Sequence, residues 1–197
     1  MTRRRLGSCL LTLGLAFTRV LCASARAQEV QGHAPHGRLR AVRTAAPPTI
    51  DGRLTDECWE LAQPVRGLTQ MDPDEGQPAT EDTEIRVLFD DAALYVSARM
   101  FDKEPALVAR RLSKRDDDAD ADRISILIDP MHDHLTGAIF RVSAAGVQDD
   151  SVLHNDTWTD GSWDAVWNSA VSADDQGWSA PTMSSGLSGE RCPIERP

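Results

Sequence analysis

The sequence is poor in aromatic residues, with four phenylalanines, five tryptophans and one tyrosine among 197 residues. It has four cysteines, of which Cys9 and Cys22 lie close to the N-terminus and Cys58 and Cys192 farther along the chain. It also lacks an uninterrupted apolar run of about 20 residues, the length that a membrane-spanning helix needs. These absences argue against a disulfide-rich scaffold and against a helical membrane protein.

The sequence lacks the common catalytic motifs as well. No G-x-S-x-G, P-loop or H-E-x-x-H pattern is present. His132 and His134 form an H-x-H pair that could chelate a transition metal, but no third ligand is apparent. Carboxylates are numerous, yet nothing marks two of them as facing each other across a glycosidic bond. We therefore expect a protein that is not an enzyme by itself, with a glycoside hydrolase as the alternative.

The N-terminus has the pattern of an export signal. Arg3, Arg4 and Arg5 precede an apolar stretch from Leu6 to Phe17, and an A-x-A cleavage site ends at Ala27. Residues 1–27 are therefore predicted to be a signal peptide. The mature protein would lie in the periplasm, at the outer membrane or outside the cell.

The chain is acidic, with a formal net charge of −10. Cleavage of the signal would remove five of the 21 basic residues and none of the 31 acidic ones, so the mature protein would be more acidic still. Such a surface argues against nucleic acid as a partner and is compatible with neutral ligands and with Ca²⁺. The sequence does not indicate an oligomeric state.

The remaining chain is long enough for one domain of roughly 150 residues. Residues 28–38 are polar and contain Gly and Pro, which predicts a flexible lead-in before a domain over residues 39–180. From Pro181 the periodicity fails, so residues 181–197 are predicted to be a disordered or aberrant tail. A truncation or a reading-frame error would produce this pattern, and the final strand or strands would then be missing.

Short alternating segments dominate the predicted domain. Residues 83–89 and 94–101 alternate with period two on either side of Asp90-Asp91, which predicts an antiparallel hairpin whose second strand is central in a sheet. Further strands are expected at residues 65–71 and 124–128, the latter buried, and a short helix is expected to begin at Thr55. The fold class is therefore all-β, an antiparallel, jelly-roll-like sandwich with one short helix.

Three of the five tryptophans lie within residues 154–167, among aspartate, asparagine and hydroxyl side chains. An indole face suits the C–H face of a sugar ring, and the polar neighbours suit its hydroxyls. Trp158 is the best candidate, because the polar residues around it predict an exposed loop. Trp167 is predicted to pack inward near Trp178. Trp59, in the short helix, is also predicted to pack into the core. Trp163 could lie either in the core or at the rim of the binding surface. The candidate carbohydrate-binding residues are Asn155, Asp156, Trp158, Asp160 and Trp163.

Residues 116–122 hold five carboxylates in seven positions but lack the spacing of an EF-hand. They form either a solvated loop or part of a structural Ca²⁺ site. Asp51 is either a turn residue or a cation ligand. The candidate metal ligands are Asp51, Asp118, Asp120 and Asp122.

An ordered set of motifs in residues 47–180 resembles the carbohydrate-binding module family 9-like domain. The set comprises Ile50-Asp51-Gly52 with Asp56 and Trp59, the hairpin Glu84–Asp91 with Leu94-Tyr95-Val96, Asp122-Arg123-Ile124 with Asp129, Phe140-Arg141-Val142 with Gly146-Val147-Gln148, Trp163–Trp167, and Asp175–Trp178. The similarity is to the version found at the N-terminus of secreted bacterial proteins with a large membrane-associated β-rich region. Ser143-Ala144 departs from the pattern, which has Asn-Pro there.

This resemblance implies a β-sandwich that binds sugars between tryptophan faces, with Ca²⁺ stabilising its loops. It also implies a role beside enzymes that hydrolyse O-glycosyl bonds, as in xylan breakdown. The alternative is a structural or interaction domain detached from an outer-membrane β-rich region.

Overall fold

The computed structural model describes residues 38–117 and 119–184, and these residues form two β-sheets. The first sheet has the order β1-β2-β3-β10-β8, with β9 also paired to β10, and the second has the order β4-β5-β6-β7. The strands are Val42–Arg43 (β1), Thr83–Phe89 (β2), Leu94–Phe101 (β3), Arg123–Ile128 (β4), Gly137–Ser143 (β5), Gln148–His154 (β6), Trp158–Asp160 (β7), Trp167–Ser169 (β8), Ser172–Asp174 (β9) and Gly177–Ser184 (β10). All pairs are antiparallel except β1 with β2, so the predicted all-β sandwich is confirmed with one parallel pair added.

The predicted hairpin is confirmed. Strands β2 and β3 pair from Thr83 with Met100 to Phe89 with Leu94, and β3 lies centrally between β2 and β10. Asp90 closes the turn because its carboxylate accepts hydrogen bonds from the backbone of Ala92 and Ala93 and from the Tyr95 hydroxyl. Burial and this carboxylate together raise the pKa of Tyr95 to about 12.

The main core fills the space between the sheets. The second sheet contributes Phe140 and Val142, and the first contributes Trp167, Trp178 and Ala180. The Phe140 ring meets Trp167 edge to face, with centroids 5.4 Å apart, a favourable geometry for aromatic pairs. The predicted inward packing of Trp167 and Trp178 is confirmed, since each is 4% exposed.

A second cluster covers the other face of the first sheet. It holds Trp59, which is 2% exposed, with Leu88 and Tyr95. Trp59 lies in Glu57–Leu61, so the predicted short helix is present as a 3-10 helix, preceded by Asp56 rather than by Thr55. A second 3-10 helix spans Pro105–Leu107. None of the helices in the described part of the chain is long and apolar enough to cross a membrane.

The expectation that the strand pattern ends at Pro181 is wrong. Strand β10 runs through Ser184, pairs with β3 over its whole length and with β8 near its end, and buries Pro181. Proline is tolerated there because its carbonyl accepts a hydrogen bond from Ala170, between β8 and β9. Since the nitrogen of a strand residue points to the same side as its carbonyl, the missing N–H faces this gap rather than β3. The prediction for residues 185–197 lies outside the described residues, as do those for the signal peptide and most of the lead-in.

Two smaller expectations also fail. Residues 65–71 form no strand, because only single bridges join Val65 to Ile85 and Thr69 to Pro78. Strand β4 is not fully buried, since Arg123, Ser125 and Leu127 are exposed on the outer side of the second sheet. Its isoleucines alone pack on the core.

Candidate functional site

The exposed tryptophan lies on a short hairpin at the edge of the second sheet. Strands β6 and β7 pair His154 with Trp158, and Asn155 and Asp156 make the turn between them with φ angles of 51° and 62°. Asparagine and aspartate tolerate this left-handed conformation better than most residues. We call residues His154–Asp160 the Trp158 hairpin.

Trp158 is the exposed tryptophan of the sequence cluster, with 59% of its surface accessible. Its ring lies beside that of His154, with centroids 5.2 Å apart and planes inclined by 32°. The exposure of Trp158 confirms what its polar neighbours predicted, and the two rings together form an aromatic surface at the sheet edge. Such a surface can stack against the C–H face of a sugar.

Polar groups surround this surface. Asp160 lies two residues along the same strand as Trp158 and therefore on the same side of the sheet. Its Oδ1 accepts hydrogen bonds from the hydroxyl and the amide of Ser162, at 2.6 and 2.9 Å, which lower the pKa of Asp160. The carboxylate is therefore ionised at neutral pH, and its other oxygen can accept a hydrogen bond from a ligand hydroxyl.

A neighbouring loop holds the turn in place. The backbone amide of Asp156 donates a hydrogen bond of 3.0 Å to the carbonyl of Leu135, in the loop between β4 and β5. That loop is folded around Asp129 and Asp133, whose carboxylates accept several backbone N–H groups that lower the pKa of both. The side chains of Asn155 and Asp156 are therefore exposed on a turn that is held by the loop between β4 and β5.

Trp163 lies apart from this surface. It is partly buried, and its ring meets Phe140 edge to face with centroids 6.1 Å apart. The structure therefore gathers four of the five candidate carbohydrate-binding residues on the Trp158 hairpin and places Trp163 against the core.

A polar row on the outer side of the second sheet was missed by the sequence reasoning. Arg141 and Asp149 are cross-strand partners joined by an ion pair, and Ser151 lies within 3.5 Å of the same guanidinium. Arg141 and Asp149 are each 28% exposed. Polar residues such as Arg141 alternate with inward-facing residues such as Phe140, and this pattern could have predicted a polar outer face of the sheet.

Asp150 was missed as well, and it fixes the segment that links β7 to β8. Its side chain is fully buried, pairs with Arg115, and accepts hydrogen bonds from the Ala165 backbone and from Trp167 Nε1. Arg115 also reaches Asp164 at 3.4 Å. This network determines the course of the chain through Trp163.

The candidate metal ligands that the structure describes each bind a different group of the protein. Asp51 accepts the Arg53 amide at 2.8 Å, Asp120 pairs with Arg111 at 3.2 Å, and Asp122 accepts the Ala109 amide at 2.8 Å. Asp118 lies outside the described residues. Among the residues that are described, no three His, Cys, Asp or Glu side chains lie close enough together to hold a metal ion. The rings of His132 and His134 lie beside each other. A Ca²⁺ site stays a prediction.

The two-sheet sandwich is similar in fold to family 9 carbohydrate-binding modules. Two solved structures of such a module from Caldicellulosiruptor kristjanssonii are similar to this chain, one in complex with cellotriose and one in complex with glucose. The cellotriose complex has a TM-score of 0.54 and 18% sequence identity, covering 75% of this chain and 67% of its own. The glucose complex has a TM-score of 0.52 and 16% identity, covering 74% and 68%.

The sequence agrees with the fold. Residues 50–139 match the family model described as carbohydrate family 9 binding domain-like, in agreement with the resemblance that the motifs show. No curated protein shows significant similarity to the chain.

Proposed function

We propose that this protein is a secreted, non-catalytic carbohydrate-binding domain that serves polysaccharide breakdown. The observation that carries the proposal is the exposed Trp158 ring beside His154, on a hairpin that also presents Asn155, Asp156 and Asp160. The family 9 fold supports it, since modules of similar fold were solved with cellotriose and glucose. The ligand would be a β-linked glucan or xylan chain.

In this proposal the indole of Trp158 stacks on one sugar ring and excludes water from its C–H face. The Asp160 carboxylate and the Asn155 amide then accept and donate hydrogen bonds at the hydroxyl rim. A hydroxyl that entered such a site unpaired would cost about 1–3 kcal/mol, so these groups select for the hydroxyl pattern. The single exposed indole predicts weak binding of short oligosaccharides, with a Kd of about 0.1–1 mM.

Replacing Trp158 with alanine is expected to weaken cello- or xylo-oligosaccharide binding at least about tenfold, because truncation of a central aromatic contact costs about 1.4 kcal/mol or more. Isothermal titration calorimetry on the wild type and the variant measures this. In the wild type, tryptophan fluorescence should shift on titration, since Trp59, Trp167 and Trp178 are buried away from ligand.

Leu107→Ala is the matched control, because Leu107 is also exposed, at 72%, but lies in the 3-10 helix Pro105–Leu107. It should bind as the wild type does. If the folded wild type gives neither heat nor fluorescence change at millimolar sugar, the binding function is refuted and a structural domain of an outer-membrane protein becomes the better explanation.

Structural Ca²⁺ is part of the proposal only for the loop of residues 116–122. The acidic composition of that loop supports it, since Ca²⁺ prefers carboxylate oxygens. A Ca²⁺ ion bound to the folded state would raise the melting temperature in proportion to the logarithm of its concentration, and EDTA would reverse the rise. An unchanged melting temperature at millimolar Ca²⁺ would exclude this ion.

A further inference from the structure

The outer face of the first sheet contains a cavity that differs in chemistry from the Trp158 hairpin. It has a volume of about 400 Å³ and is lined by three arginines, Arg53, Arg86 and Arg99, together with Glu84, Asp174 and a set of small polar residues. We call it the arginine cavity. It lies on different strands from the Trp158 hairpin.

The arginine cavity is positively charged in an acidic protein. Glu84, whose side chain is 9% exposed, pairs with both Arg86, at 3.0 Å, and Arg66. Asp174 pairs with Arg99 at 2.7 Å. Both carboxylates in the lining are therefore already neutralised by protein cations.

Arg53 supplies the surplus charge. Within the described ranges its guanidinium has no ion pair, although its backbone amide is bonded to Asp51 at 2.8 Å. Three arginines and two carboxylates line the cavity, which leaves one positive charge for a monoanionic ligand, and the flanking Arg66 and Asp51 cancel each other. A guanidinium can bind a carboxylate through two parallel hydrogen bonds.

The backbone around Arg53 is held at the mouth of the cavity. Gly52 has a φ of 92° and lies so close to the segment between β8 and β9 that a Cβ there would be 2.7 Å from the Val171 carbonyl carbon. Its own carbonyl accepts a hydrogen bond of 2.6 Å from the buried Ser179 hydroxyl. Arg53 is therefore presented by a fixed turn, which reduces the entropy lost on binding.

The rest of the lining suits a sugar ring. The hydroxyls of Thr55 and Ser172 have no hydrogen-bond partner in the described part of the protein, and Leu54 offers a half-buried apolar surface. An amino acid would bring an ammonium group into a site with surplus positive charge, which disfavours it. A hexuronate combines one carboxylate with several hydroxyls and carries no cation.

We propose that the arginine cavity binds a hexuronic acid, the acidic sugar of plant and microbial polysaccharides, with Arg53 as the carboxylate-binding residue. Arg86 and Arg99 set the positive potential, and the hydroxyls of Thr55 and Ser172 bind those of the sugar. The domain then has two sites, one for neutral sugar at Trp158 and one for acidic sugar on the opposite sheet.

The test is an NMR titration of the folded domain with D-glucuronate, D-glucose and acetate. Glucuronate is expected to shift the amide signals of residues 52–55 and 172–174 with a Kd of about 1 mM. Glucose and acetate should bind there at least about tenfold more weakly, since each lacks one half of the recognised chemistry. Arg53→Gln should weaken glucuronate binding at least about tenfold, since a charged hydrogen bond is lost.

Arg111→Gln is the control, because Arg111 is exposed and pairs with Asp120 away from the cavity. Trp158→Ala should leave glucuronate binding unchanged, and Arg53→Gln should leave oligosaccharide binding unchanged, so that the two sites fail independently. The proposal is overturned if glucuronate shifts none of these signals, if acetate binds equally well, or if Arg53→Gln binds as the wild type does.

Discussion

Replacement of Gly177 with alanine is expected to lower the free energy of unfolding by about 3–5 kcal/mol or to prevent folding. Gly177 opens strand β10 with a φ of 137°, and a Cβ at this position would lie 2.0 Å from the carbonyl oxygen of Met100. That oxygen belongs to β3 and cannot move away without disturbing the pairing of the two strands. Urea denaturation of the wild type and the variant measures the difference.

Variants at two other glycines distinguish the cost of the backbone conformation from the cost of the steric clash. Gly146 has a φ of 81°, but a Cβ at this position would have no neighbour within 4 Å, so Gly146→Ala reports the cost of a left-handed alanine alone, about 1–2 kcal/mol. Gly161 has neither a left-handed φ nor a close neighbour, so Gly161→Ala should be neutral within about 1 kcal/mol. A Gly177→Ala variant as stable as Gly146→Ala would refute the close approach of β10 to β3.

The sequence predicts the structure correctly where a local pattern determines it. Apolar residues recur with period two in both strands of the β2–β3 hairpin, and nothing distant is needed to recognise it. Trp158 was correctly predicted to be exposed, because its immediate neighbours are polar. In both cases the information lies within a few residues of the feature.

The sequence does not predict the features that depend on contacts between distant residues. Proline interrupts most strands. Strand β10 tolerates Pro181 because this residue faces the short gap between β8 and β9, which no local sequence pattern reveals. The arginine cavity is likewise assembled from the segment after Asp51 and from strands β2, β3, β9 and β10. Its charges are far apart in the sequence and adjacent only in the folded sheet.

Asp150 is the clearest example of a residue whose importance comes from distant partners. In the sequence it belongs to a polar run, Gln148-Asp149-Asp150-Ser151, which is typical of an exposed strand. In the structure it is fully buried because Arg115, Ala165 and Trp167 supply the hydrogen bonds that a buried carboxylate requires. Its partners lie 15 to 35 residues away.

Replacement of Asp150 with alanine is therefore expected to lower the free energy of unfolding by about 3–5 kcal/mol. The change leaves the Arg115 guanidinium without its buried partner and the Trp167 indole N–H and Ala165 amide without an acceptor. Unpaired buried polar groups of this kind carry their full desolvation cost. Chemical denaturation measures the loss, and near-ultraviolet circular dichroism reports the packing of Trp167.

The matched control is Asp164→Ala, because Asp164 pairs with the same Arg115 but is 80% exposed. Exposed ion pairs contribute about 0–1 kcal/mol, so this variant should be nearly as stable as the wild type. Since Asp150 also fixes the segment from Trp163 to Trp167, its loss should broaden the NMR signals of that segment before global unfolding, whereas Asp164→Ala should not. Equal stabilities for the two variants would contradict the stabilising role of the buried Asp150 network, because the two carboxylates share Arg115 and differ chiefly in burial and in the hydrogen bonds that burial demands.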